Sequence, residues 1–171
     1  MLKCGIDIGG TNIKFGFFDG EKKVNSVVIK TPKVKEKVIP SIVCEIKKKY
    51  KPSDILGYTV AIPGVVLNDV VVFAPNTDIF GLNFKEELGL LLENDNIIVE
   101  NDANLQAMAE AKATDLDDLI LISIGTGLGG GIIIDGKLLN KNGFAGEIGH
   151  IKVHFGANSR MCGCGKLGCS E

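Results

Sequence analysis

Gly5-Ile-Asp-Ile-Gly-Gly-Thr-Asn-Ile-Lys-Phe-Gly-Phe-Phe-Asp-Gly20, near the start of the chain, decides the fold because it returns as Leu121-Ile-Ser-Ile-Gly-Thr-Gly-Leu-Gly-Gly-Gly-Ile-Ile-Ile-Asp-Gly136. In one ungapped register Ile6 matches Ile122, Ile8 matches Ile124, Gly9 matches Gly125, Asp19 matches Asp135 and Gly20 matches Gly136. Each copy is an apolar strand, a Gly/Thr turn, a second apolar strand and an Asp-Gly hairpin turn. A Gly/Thr turn leaves backbone N–H groups uncovered and adds a hydroxyl donor, the two things a phosphate oxygen needs. Two such turns on two similar lobes imply a polyphosphate gripped from both sides of a cleft.

The residues around the copies complete an α/β pattern. Residues 2–8, 13–19 and 23–30 form three antiparallel strands joined by tight turns. A helix is expected over 34–50, with Val34, Val38, Ile42 and Ile46 on one buried face and Pro40 starting or kinking it. Strands follow at 56–62, ended by Pro63-Gly64, and at 65–73, ended by Ala74-Pro75-Asn76. A short helix at 84–92, a strand at 96–100 and a helix at 103–112 come next. This order makes one complete N-terminal lobe over 1–115. Residues 116–171 then begin a second lobe that the chain does not finish.

Bulk composition excludes several classes. The 171 residues are 45% hydrophobic and 23% charged, with a net charge of −2 and no long basic run, so no nucleic-acid partner is expected. Lys47-Lys48-Lys49 closes an apolar-periodic segment and suits a helix C-terminus. Met1-Leu-Lys leads straight into a strand, with no signal peptide. The most apolar stretch, 119–134, is broken by glycines and is no membrane span, so a cytoplasmic protein is expected. Three of the five cysteines form Cys162-Gly-Cys164-Gly-Lys-Leu-Gly-Cys169, a cluster that in the cytosol favours metal over disulfides.

Five motifs carry chemistry. Asp7 ends a strand, where its carboxylate can hold Mg2+ directly or through water; Gly9, Gly10 and Thr11 form the adjoining turn, whose bland alternative is a plain hairpin. Lys14 either reaches a phosphate or is a solvated strand residue. In Glu100-Asn-Asp-Ala-Asn104 one of Asn101 and Asp102 is a helix N-cap, or Asp102 accepts the proton of an attacking hydroxyl while Asn101 holds a neighbouring one. Glu147, in the glycine-shaped loop Gly143-Phe-Ala-Gly-Glu-Ile-Gly-His150, suits two adjacent sugar hydroxyls or is a surface Glu. His150 with Cys162, Cys164 and Cys169 makes a tetrahedral zinc set, with His154 as the rival nitrogen ligand. Cys4 and Cys44 lie on apolar faces and are expected to be buried.

Asp7-Ile-Gly-Gly-Thr11, Glu100-Asn-Asp-Ala-Asn104, Gly125-Thr-Gly-Leu-Gly-Gly130, Glu147-Ile-Gly-His150 and Cys162-Gly-Cys-Gly-x-x-Gly-Cys169 appear here in one order. This set closely resembles the ROK family (repressors, open reading frames and sugar kinases) of the actin/hexokinase-like superfamily, from residue 3 to the last residue. The resemblance implies an actin-like ATPase (ribonuclease H-like) fold and an ATP- and Mg2+-dependent kinase. The substrate would be a hexose, phosphorylated at its 6-hydroxyl, with glucose first and mannose, fructose and N-acetylated hexosamines open. It implies Asp102 as catalytic base, with Gly64, Asn76, Asn101, Glu147, His150 and Glu171 as sugar contacts. Gly9, Gly10, Thr11, Gly125, Thr126 and Gly127 become phosphate-loop residues, and His150 shares one ring nitrogen with a structural Zn2+ while the other faces the sugar. Homodimerisation of the full-length form is implied too. Two rivals stand beside this reading. A non-catalytic sugar-sensing repressor would carry a DNA-binding segment ahead of the first strand, where only two residues precede Lys3. A truncated module would bind ATP poorly and expose apolar surface along 119–134.

Overall fold

The computed structural model describes residues 1–74, 77–125, 127–140, 143–156 and 158–171. Strands β1 (Leu2–Ile8), β2 (Asn12–Asp19) and β3 (Lys22–Lys30) are followed by helix α1 (Val38–Lys49) and strand β4 (Ile55–Ile62). The hairpin β5 (Val65–Leu67) and β6 (Val70–Phe73), helix α2 (Phe84–Leu92) and strand β7 (Ile97–Asn101) come next. Helix α3 (Asp102–Thr114), strands β8 (Leu119–Ile124), β9 (Leu128–Ile134) and β10 (Lys137–Leu138), and a short 3-10 turn at Ile148–His150 complete the described elements.

The chain divides into two compact units, Met1–Asn101 and Asp102–Glu171. In the first, a five-stranded sheet has the order β3-β2-β1-β4-β7. β1, β2 and β3 pair antiparallel, while β4 joins β1 and β7 joins β4 in parallel. Alternation along the strands sends one face inward. Cys4, Ile6 and Ile8 of β1, Ile13, Phe15 and Phe17 of β2, and Val60 and Ile62 of β4 share a buried cluster with Ile39, Ile42 and Ile46 of α1 and Phe84 and Leu88 of α2. Burying each such side chain stabilises by about 1.5–3 kcal/mol, which holds both helices to this face.

Local chemistry sets the helix ends. Pro40 falls in the first turn of α1, two residues after its start, where its missing N–H would have had no intrahelical partner. Val34 precedes α1 and is exposed, contrary to its expected place on the buried face. Lys47, Lys48 and Lys49 occupy the last turn, as expected. In α2, the Asn83 side chain accepts from the Glu86 N–H at 3.1 Å, and Glu93 in the left-handed region stops the helix. Residues 65–73, expected as one extended run, fold into the β5–β6 hairpin. Asn68 and Asp69, at φ 50° and 65°, make the turn.

The second unit begins earlier than the expected boundary near residue 115, because α3 packs on β8 and β9 and lies within it. Glycine permits that packing. A Cβ on Gly131 would meet the Ala107 Cβ at 2.6 Å and the Ala103 carbonyl oxygen at 2.8 Å. Gly130 faces the other way, where a Cβ would meet Ile148 Cδ1 at 2.8 Å. The glycine run therefore serves packing as well as any turn. On β8, Ile120, Ile122 and Ile124 alternate outward and are exposed, and β8 forms an edge of the three-stranded sheet β10-β9-β8. Among the described residues no helix is long and apolar enough to cross a membrane.

Cys4 is buried as expected, and burial pushes its thiol up to about 12, which keeps it neutral. Cys44 is exposed, contrary to expectation, because the buried stripe of α1 runs through Ile39, Ile42, Val43 and Ile46 and leaves it outside. Among the described residues the buried Tyr58 hydroxyl has no hydrogen-bond partner, and burial pushes it up to about 12. Two outcomes follow from these contacts. Tyr58→Phe removes an unsatisfied polar atom, so its thermal midpoint should equal or exceed that of the parent chain. Gly131→Ala should destabilise by about 1–3 kcal/mol in denaturant titration, since α3 must retreat from β9.

Candidate functional site

The first Gly/Thr turn joins β1 to β2. The Gly9 N–H donates to the Asn12 carbonyl at 2.9 Å, and Gly10 and Thr11 are exposed at the tip. Thr31, just past β3, braces the turn from the side. Its hydroxyl donates to the Gly9 carbonyl at 2.6 Å and its N–H to the Thr11 carbonyl at 3.0 Å. The sequence reading missed Thr31, although hairpin register reveals it: Asn12 pairs with Lys30, which places Thr31 beside Thr11. Asp7 lies opposite Lys14 in the ladder, and their side chains form an exposed ion pair at 3.2 Å. Lys14 is thus paired with the carboxylate expected to meet a cation.

At the end of the parallel strands, Asn101 Nδ2 donates to the Gly64 carbonyl at 2.9 Å. Gly64 sits at φ +146°, and a Cβ there would run into the Phe73 carbonyl, so only glycine fits. Two of the expected sugar contacts, Gly64 and Asn101, are therefore joined directly. Asn76 and Thr126 lie outside the described residues.

In the second unit Asp102 opens α3, and its Oδ1 accepts from the Ala103 N–H at 2.9 Å. Glu147 and His150 lie 3.7 Å apart, Glu147 Oε2 to His150 Nε2. Burial, above all, raises the Glu147 carboxyl from its ordinary value; His150 opposes this, while the charges of Asp102 and Glu171 add to it. These four residues thus share one electrostatic neighbourhood. Glu171 Oε2 lies 4.0 Å from His150 Nδ1, and the Glu171 N–H donates to the Gly149 carbonyl at 3.0 Å. At the second turn the Gly125 N–H donates to the Gly127 carbonyl at 3.0 Å. A Cβ on Gly125 would meet open space, whereas one on Gly127 would meet the Glu171 carboxylate at 2.8 Å.

His150, Cys162, Cys164 and Cys169 bring their ligand atoms within 4.8 Å of one another. Cys162 Sγ lies 3.5 Å from His150 Nδ1, and Cys164 Sγ lies 3.8 Å from Cys169 Sγ. A zinc tetrahedron with Zn–S of about 2.3 Å and Zn–N of about 2.0 Å has S···S edges of about 3.8 Å and S···N edges of about 3.5 Å. The donor set and its spacing fit that ion. The Lys166 backbone N–H, foremost, lowers the Cys164 thiol from its usual value, whereas burial pushes Cys169 up to about 11. His154 is not in the cluster. It is exposed, with its N–H on the Gly168 carbonyl at 3.1 Å.

The sequence matches the ROK family over residues 3–171. The chain belongs to the ROK family. It is 36% identical over 99% of its length to the glucokinase of Streptomyces coelicolor, covering 55% of that protein. It is 32% identical over 98% of its length to the N-acetyl-D-glucosamine kinase of Vibrio parahaemolyticus, covering 61% of it. It is also 34% identical over 80% of its length to the xylose repressor of Caldicellulosiruptor bescii, covering 36% of it. A ROK family glucokinase from Streptomyces griseus, solved with glucose and AMPPNP, superposes with a TM-score of 0.85 at 35% identity, over 99% of this chain and 55% of that one. The chain thus spans about half the length of the relatives it matches. As in that ROK structure, the fold is that of the actin-like ATPases, which the resemblance implied.

Within this ROK chain the thiolate and imidazole set predicts one zinc per chain by elemental analysis. His150→Ala or Cys164→Ser should lower that content, while His154→Ala should leave it unchanged.

Proposed function

We propose that the protein carrying this chain is an ATP-dependent sugar kinase that phosphorylates a hexose at its 6-hydroxyl, with glucose the first choice. What carries the reading is the junction of β7 and α3. There the side chain of Asn101 is held by Gly64, and Asp102, next in sequence, shares its surroundings with Glu147, His150 and Glu171. Similarity to the glucokinase and to the N-acetyl-D-glucosamine kinase supports the reaction class and leaves the choice between those sugars to experiment.

In this reading Gly64, Asn76, Asn101, Glu147, His150 and Glu171 hold the sugar. A carboxylate such as Glu147 accepts from adjacent hydroxyls in pairs, which sets the ring's orientation. Asp102 accepts the proton of the 6-hydroxyl as that oxygen forms its bond to the γ-phosphorus. The bond from the γ-phosphorus to the β,γ-bridging oxygen breaks in line, and ADP leaves. Such transition states are loose, so positioning matters more than the strength of the base. The turns at Gly9-Gly10-Thr11 and Gly125-Thr126-Gly127 meet phosphate oxygens. Asp7 would hold Mg2+, which neutralises charge on the phosphates; a single carboxylate with phosphate and water ligands suits that ion. His150, Cys162, Cys164 and Cys169 would hold a structural Zn2+, and the His150 Nε2 faces Glu147.

A sugar-binding regulator is the second reading, favoured by similarity to the xylose repressor. A coupled assay of the complete protein across glucose, mannose, fructose, N-acetylglucosamine and N-acetylmannosamine separates the two. Turnover of a hexose is expected, and sugar binding without turnover of any would favour the regulator. Asp102→Asn should reduce phosphorylation at least about 10²-fold while calorimetry still detects sugar binding. Near-normal turnover by this variant would remove Asp102 from its role.

A further inference from the structure

The peptide between Gly9 and Gly10 lies where the chain has the least steric guidance. Neither residue carries a Cβ, so both tolerate backbone conformations on either side of φ zero, and the peptide plane is free to turn over. Thr31 removes that freedom. Its hydroxyl takes the Gly9 carbonyl at 2.6 Å, and its own N–H takes the Thr11 carbonyl at 3.0 Å, so one residue grips the turn at both shoulders. The described residues contain no cis peptide bond. In a trans peptide the N–H points opposite to the C=O. With the Gly9 carbonyl turned toward Thr31, the Gly10 N–H points to the opposite side, at an exposed tip.

We propose that Thr31 is a positioning residue of the nucleotide site, locking the Gly9–Gly10 peptide so that the Gly10 N–H is presented to a phosphate oxygen of a nucleoside triphosphate. The phosphate part rests on the kinase reading; the locked peptide does not. Threonine suits the task because its branched Cβ restricts χ1 and so keeps the hydroxyl aimed. Valine has the same outline and no donor, and would leave the Gly9 carbonyl without its partner.

Thr31→Val and Thr31→Ser, made in the complete protein, test the assignment. Thr31→Val should raise the KM for ATP about tenfold while leaving the KM for the sugar unchanged, and Thr31→Ser should restore most of the loss. An unchanged KM for ATP in the valine variant, an equal rise in both KM values, or a serine variant no better than valine would each overturn the proposal. Amide NMR with inorganic pyrophosphate gives a readout that needs no turnover. The Gly10 N–H resonance should shift on titration in the wild type and in Thr31→Ser, and shift far less in Thr31→Val. A wild-type protein without phosphotransfer would sink the kinase reading while this titration still decides the role of Thr31. If the valine variant does not fold, a wild-type Gly10 amide that ignores pyrophosphate overturns the proposal by itself.

Discussion

Strand β9 can be approached closely from both faces, and the second unit depends on that. On one face Gly129 and Gly131 let α3 come down until Ala103 and Ala107 touch the strand. On the other, Gly130 admits Ile148, while Gly146 lies on the Gly130 carbonyl and Gly149 on that of Leu128. α3 begins with Asp102, and the loop at 146–150 carries Glu147 and His150. One thin strand therefore sets the separation between the residue assigned as base and the residues assigned to the sugar. A methyl group at Gly131 or Gly130 would push one partner away from the other. The run that looks like a phosphate-binding signature is, over most of its length, a spacer; only Gly125 and Gly127 belong to the turn.

The strands of the first unit were legible because alternation and tight turns are local properties. β1 and α2 begin and end where the residues alone place them. The β5–β6 hairpin was not, because residues 65–73 read as one apolar run and the Asn68-Asp69 turn lacks the glycine that most often marks a two-residue loop. Cys44 misled because an apolar residue next to a helical stripe can still fall outside it. The boundary at 115 misplaced α3 because helix assignment is local while packing is not: what draws α3 to the second unit is the absence of side chains on β9. The motif residues were easy to find, yet Thr31 escaped, since its role appears only when the β2–β3 register is known.

His150 links two kinds of constraint. Its Nδ1 faces Cys162 at 3.5 Å, and its Nε2 faces Glu147 at 3.7 Å. An imidazole fixed at one nitrogen has its other nitrogen fixed in direction as well, because the ring is rigid. The cluster itself is held by backbone bonds: the Cys162 N–H donates to the Lys166 carbonyl, the Gly165 N–H to that of Cys162, and the Gly168 N–H to that of Arg160. These bonds fold the segment into short loops whose cysteines converge on His150.

The two copies of the repeated pattern are supported in opposite electrostatic ways. The first turn is braced by donors: a hydroxyl and an N–H from Thr31 occupy the Gly9 and Thr11 carbonyls. The second has a carboxylate against it, since Glu171 lies where any side chain on Gly127 would go, while Gly125 faces open space. Sequence identity at Gly9 and Gly125 hides this difference. The repeated pattern thus receives different support at its two turns, and the difference comes from Thr31 and Glu171, which lie outside the repeat.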